Sequence, residues 1–149
     1  MDCMSTLGIK PPGPSRYPLV GRSEFARLIQ PLIERDIYGK KVAESITAPD
    51  LRKASYTSAA KDMIASEFDQ PVIWLDSLAG QFYLDGEKDK VASSAVKGNV
   101  ITLKLKAPST AKKITYLKEM AWNPNDLIFG TNGIAALTFC DVPLEAPTR

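Results

Sequence analysis

From Val100 to Lys106 the chain alternates apolar and polar residues with a period of two. Ile101, Leu103 and Leu105 point one way; Thr102, Lys104 and Lys106 point the other. A segment patterned like this buries one face and wets the other, so it must belong to a sheet covered on one side. Turn signals bracket it, Lys97-Gly98-Asn99 before and Pro108-Ser109 after, and Lys113 to Leu117 is its expected partner. Further short strands are expected at Ala65 to Phe68 and at Val72 to Leu75, separated by Asp69-Gln70-Pro71. Gln81 to Leu84 reads as another, closed by the turn dipeptide Asp85-Gly86. Leu127 to Phe129 and Leu137 to Cys140 read as closing strands around a glycine-containing bend. Short strands at this spacing predict a mostly β chain folded as a small antiparallel β-sandwich.

One segment breaks the pattern. Phe25, Leu28, Ile29, Leu32, Ile33 and Ile37 recur at helical spacing and predict one amphipathic α-helix ahead of the strands. Ser23 reads as its N-cap, and Glu24 suits the positive end of the helix dipole. Pro31 falls on the expected polar side and predicts a kink or a break there. Gly39, followed by Lys40 and Lys41, reads as the stop. Ahead of the helix, Lys10-Pro11-Pro12-Gly13-Pro14 is an irregular lead-in. The expected division is residues 1–40 for lead-in and helix, and 41–149 for the sandwich.

The 149 residues carry a net charge of +2, with Lys and Arg interspersed among Asp and Glu. That distribution predicts no nucleic-acid partner and no membrane partner, and no run approaches the roughly 18 apolar residues of a membrane span. Met1-Asp2-Cys3-Met4 has an acid where an export signal carries basic residues, so no export signal is expected and no compartment follows. Cys3 and Cys140 stand near opposite ends. They bridge only if the termini meet, and Cys140, after an apolar run, reads as a buried free thiol.

The chain has no histidine. It therefore lacks the side chain most used for general-base and metal chemistry at neutral pH. It also lacks a Gly-x-Ser-x-Gly elbow and a glycine-rich phosphate loop. Two cysteines without histidine do not close a zinc site, and no metal or cofactor is expected. Asp85, Glu87 and Asp89 have a spacing compatible with calcium, but the loop lacks the length and bidentate Glu of an EF-hand and reads as a solvated turn. Asp69 and Asp76 read as turn residues. Paired carboxylates such as Asp76 and Asp85 occur in glycosidases, yet nothing in their spacing supports that chemistry here. Trp74, Phe82, Tyr83, Tyr116, Trp122 and Phe129 read chiefly as core. As a sugar-stacking set, the candidates are Trp122, beside the Asn123-Pro124 loop, with Tyr83 and Trp74.

Two stretches resemble the C-terminal end of sialate O-acetylesterase-like carbohydrate esterases of the SGNH hydrolase superfamily. The first is Tyr17-Pro18-Leu19-Val20-Gly21-Arg22, leading into a helix that ends at Tyr38-Gly39. The second runs from Ile114-Thr115-Tyr116 through Asn123-Pro124, Leu127-Ile128-Phe129, Gly133-Ile134 and Ala136 to Phe139. It departs from the family at Ala135, where proline is usual, and at Cys140, where arginine is usual. The resemblance implies a serine esterase that removes O-acetyl groups from sugars. It also implies that the helix is left over from an α/β hydrolase core, which carries the nucleophile and is a missing N-terminal partner. Arg16 stands near the position expected for the family's histidine, but arginine stays protonated and cannot act as general base. Asp2 is a loosely spaced remnant of the family's acidic partner at most. The implied function is that of a C-terminal fragment of a carbohydrate O-acetylesterase, inactive alone. The alternative is a non-catalytic carbohydrate-binding or structural β-sandwich module.

Overall fold

The computed structural model describes Ser5, Leu7, Ile9 and residues 19–42, 45–74, 76–118 and 126–147. One helix, α1 (Leu19–Asp36), precedes nine strands. These are β1 (Leu51–Tyr56), β2 (Met63–Phe68), β3 (Val72–Ile73), β4 (Phe82–Leu84), β5 (Val91–Lys97), β6 (Val100–Leu105), β7 (Lys113–Tyr116), β8 (Phe129–Gly130) and β9 (Phe139–Pro143). A short 3-10 helix, Asp76–Gln81, runs into β4. The strands form a four-stranded sheet in the order β1-β2-β6-β5, a three-stranded sheet β4-β7-β9, and the pair β3-β8, every pairing antiparallel. The small sandwich preceded by one helix is thus the architecture observed.

The alternation read in the sequence sets the core. Ile101, Leu103 and Leu105 of β6 are buried, as are Ile64, Ser66 and Phe68 on β2 and Ala54 and Tyr56 on β1. From the facing sheet come Phe82, Leu84, Ile114 and Tyr116. Aromatic rings join the layers: Phe82 lies 5.3 Å from Tyr116 and 6.3 Å from Phe139, and Phe139 lies 6.5 Å from Phe68 across the sandwich. Such tilted pairs add to the area each ring buries.

Turns behave as their residues demand. Asp85 and Gly86 both have positive φ, 49° and 83°, and Leu84 and Glu87 exchange backbone hydrogen bonds across them. This is the left-handed pair that a two-residue hairpin turn requires. Gly98, with φ 61°, opens the β5–β6 hairpin, and Asn99 Nδ2 ties the tip to the Phe68 carbonyl at 2.8 Å.

Several expectations need correcting. Lys113 to Leu117 does not pair with Val100 to Lys106; β7 lies between β4 and β9 in the other sheet. The Asp85 carboxylate explains the capture, since it accepts hydrogen bonds from the backbone N–H groups of Lys112 and Lys113 at 2.9–3.2 Å. Val72 to Leu75 yields only the two paired residues of β3, and Leu75 lies outside the described residues. Strands β1 and β5 were not expected from the sequence. Arg52, Lys53 and Ser55, and then Ser93 and Ser94, dilute the apolar signal; both strands end the order of their sheet, and β5 leaves most of its residues exposed.

The helix also differs. It starts at Leu19, so Ser23 lies inside it and not at its N-cap. Pro18, next before Leu19 in sequence, is a residue suited to opening a helix. The helix runs unbroken through Pro31, which faces a groove beside Leu28 and is not on the solvent side. It stops as expected: Gly39 takes φ 64°, and its N–H bonds the Arg35 carbonyl at 3.2 Å. Cys140 is exposed, not buried; β9 turns its Sγ to the outer side, 3.9 Å from Thr115 Oγ1.

Candidate functional site

The two stretches that carry the family resemblance meet in space. Arg27, Leu28 and Pro31 of α1 face Asn132 and Ile134 across a groove of about 440 Å³, with Val42, Ser45 and Ile46 of the connector as its floor. A smaller recess of about 80 Å³ adjoins it, where Ser5 and Ile9 reach Glu24 and Gly133. The groove lies where the helix leaves the sandwich.

Asn132 holds its lower wall. Its Nδ2 lies 2.9 Å from Thr47 O, 3.0 Å from Ser45 O and 3.2 Å from Gln70 Oε1, while its Oδ1 accepts from Ile134 N at 3.0 Å. One amide thus clamps the connector to the 130–136 bend. Gly130 makes this close approach fit: a Cβ there would stand 2.5 Å from Asn132 Oδ1 and 2.9 Å from Pro49 Cγ. Sequence reading noted the glycine-containing bend and missed Asn132, whose partners lie 62 to 87 residues away.

The groove's upper wall is only half used. Phe25 (38% exposed) and Ile33 (41%) of α1, with Ile37 (71%) and Tyr38 (72%) just past its end, stand partly or largely in water. Among the described residues, none of the core cluster comes from α1. The face that sequence periodicity assigned to burial is therefore only partly covered within the described chain, with Leu28, Ile29 and Leu32 half-buried and Phe25, Ile33 and Ile37 exposed.

Chemically the groove is sparse. Glu24 and Arg27 are its ionisable groups among the described residues, and Ser5 and Ser45 its hydroxyls. Ser45 Oγ lies 3.4 Å from Thr47 Oγ1, and no imidazole exists in the chain to activate it. Among the described residues, no group of three or more Cys, Asp or Glu side chains converges as a metal site would need.

The sequence-predicted residues fall in separate places. Arg16 and Trp122 lie outside the described residues, as do Asp2, Cys3 and the Asn123-Pro124 loop. Trp74 is 9% exposed and packs 5.5 Å from Phe82 in the core. Its Nε1 has no hydrogen-bond partner among the described residues. Tyr83 follows Phe82 and so projects from the other face of its strand. It is 3% exposed, roofed by the ammonium groups of Lys88 and Lys118, each 5.9 Å from its ring centroid. Trp74 and Tyr83 therefore do not share a surface. Asp85 is engaged with β7, and Glu87 pairs with Lys90 at 2.7 Å.

No family profile matches this chain. No curated protein matches it in sequence. Among solved structures, a carbohydrate acetylesterase from Xanthomonas citri matches over 87% of this chain with a TM-score of 0.61 and 14% identity. The chain spans 30% of the length of that structure. At that identity the likeness is one of fold.

Proposed function

We propose that this chain is the C-terminal segment of a carbohydrate O-acetylesterase, similar to the sialate O-acetylesterases of the SGNH superfamily, and has no ester hydrolysis of its own. The observation that carries the reading is the fold likeness. Most of this chain matches less than a third of a carbohydrate acetylesterase, which leaves the larger part of that enzyme as the counterpart of a separate core. The exposed part of the apolar face of α1 supports it, because Phe25 and Ile33 offer a docking surface for an α/β core. In this reading residues 1–40 belong with the core and residues 41–149 form the accessory sandwich. The described connector between Asp36 and Leu51 is where the two would part.

Deacetylation of a sugar needs a nucleophile, a base to take its proton, and donors for the tetrahedral oxyanion. Serine is plentiful here, but the base is not. Arg16, nearest the expected histidine position, keeps its proton at any working pH. The contribution of this chain is structural: Asn132 clamps the connector that follows the last helix to a rigid sandwich, and the exposed side of that helix is left for its partner.

The coding sequence upstream of Met1 tests the reading. An in-frame Gly-Asp-Ser-type block is expected there, and an in-frame stop codon directly upstream would overturn the proposal. The purified chain is expected to release no acetate from an acetylated sugar. Hydrolysis at a rate that Arg16→Ala abolishes would overturn the claim of inactivity by itself.

A further inference from the structure

Away from the α1 groove, the outer face of the β4-β7-β9 sheet carries a second built feature. Asp85, Gly86, Lys112, Lys113, Lys118 and Asp141 line a cleft of about 470 Å³. Next to two of these lining residues, Lys118 and Asp141, lie Tyr83 and Thr115, a register pair on the outward face, and both are nearly fully covered. Outward sheet positions are ordinarily wet; here Tyr83 is roofed by Lys88 and Lys118, and Thr115 bonds Asp141.

The backbone around the cleft is held in costly conformations. Asp85 (φ 49°), Leu117 (φ 59°) and Asp141 (φ 54°) are three of the five non-glycine residues with positive φ among those described. Such outliers persist only where surrounding structure over-determines them, and they gather at sites of function. Leu117 is the most telling, since leucine has no polar side chain to ease that conformation. Its turn, fixed by a hydrogen bond from its N–H to Gln81 O at 3.1 Å, sends Lys118 back over the Tyr83 ring. There Lys118 Nζ packs beside Gly86, 3.4 Å from where a Cβ on that glycine would lie, an ordinary contact distance.

Both acids in the cleft are already committed. The Asp85 carboxylate is taken by the N–H groups of Lys112 and Lys113. Asp141 receives Lys113 Nζ at 3.3 Å and Thr115 Oγ1 at 3.5 Å. Lys112 and Lys118 make no ion pair among the described residues, and both line an open cleft of ligand size.

We propose that this cleft binds a small oxyanion-bearing ligand, a carboxylate or phosphate group on a molecule of about monosaccharide size, with Lys112 and Lys118 as its cationic contacts. The proposal does not rest on the ester-hydrolase reading, because none of these residues lies in the α1 groove.

Amide shifts of the isotope-labelled full chain, followed during titration at constant ionic strength, test it. The probes are inorganic phosphate, glucuronate and, as the neutral control, glucose. Saturable shifts at Gly86, Lys112 and Lys118 are expected with phosphate or glucuronate and none with glucose; a response to both anions identifies the charge alone as the ligand, and a response to glucuronate alone adds the sugar. Lys118→Gln and, separately, Lys112→Gln are each expected to weaken binding about tenfold, while Lys104→Gln, on the other sheet, leaves it unchanged. Shifts that never saturate, shifts equal with glucose, or variants that bind as Lys104→Gln does would overturn the proposal.

Discussion

At the residue scale, Tyr116 shows how a single polar atom ties the layers together. Its ring is 1% exposed, and its hydroxyl accepts the Ile128 N–H at 2.9 Å. Burial pushes the phenol from 10.0 up to about 12, and the Ile128 hydrogen bond opposes that rise. The fold therefore favours the neutral phenol. The stabilisation is complete below pH 10. Above it the unfolded chain releases a proton that the folded chain keeps, and stability falls until the folded phenol ionises near pH 12. The loss across that window is expected to reach about 3 kcal/mol. Tyr116→Phe should flatten that part of the profile, and at neutral pH it should cost about 1–3 kcal/mol because Ile128 N–H is left buried and unpaired. Urea denaturation of both proteins at a series of pH values from neutral to about 12 checks each part, and parallel profiles would rule the account out. Sequence reading placed Tyr116 among the core aromatics. Its hydrogen bond was invisible there, because nothing local marks a backbone N–H twelve residues away as the one needing an acceptor.

At the element scale, α1 and the strands behave differently. Strands β2 and β6 sit in the centre of their sheet and bury alternate residues completely. The helix contributes nothing to the core cluster among the described residues, and an isolated helix of this length is marginal in water. Hydrogen exchange should therefore find the α1 amides at least about tenfold less protected than those of β2 and β6 in the chain alone. Equal protection would mean that α1 needs no further partner. The same contrast decides what was readable. Strand β6 was evident because burial on one face leaves a strict alternation. Strands β1 and β5 were not, because β5 buries only Val91 and β1 buries only Ala54 and Tyr56, too short an alternation to read. Pro31 looked like a flaw on a polar face, yet the structure sets it in the groove facing the connector, beside Leu28 of the apolar stripe.

At the scale of the whole molecule, the two sheets are stitched near the C-terminus. Glu145 pairs with β1, donating its N–H to Ala54 O and accepting from Tyr56 N, both at 3.0 Å, while Leu144 N bonds Lys112 O at 2.7 Å. A chain ended after Pro143 loses all three bonds and should be less stable by about 2–4 kcal/mol, read from the midpoint of chemical denaturation. A midpoint unchanged from the full chain would show that the stitching carries no weight. The strands other than β1 and β5, the helix and its glycine stop, the Asp85-Gly86 and Gly98 turns and the mostly β class were determined by the sequence alone. Each is written in spacings of two to four residues, over which backbone geometry dictates which side chains share a face. The strand order, the capture of β7 by β4, the Asn132 clamp, the separation of Trp74 from Tyr83 and the lysine-roofed cleft were decided only by the tertiary structure. They depend on which polar group finds its partner tens of residues away, as Asp85 finds Lys112 and Glu145 finds Ala54, and no local pattern encodes that choice.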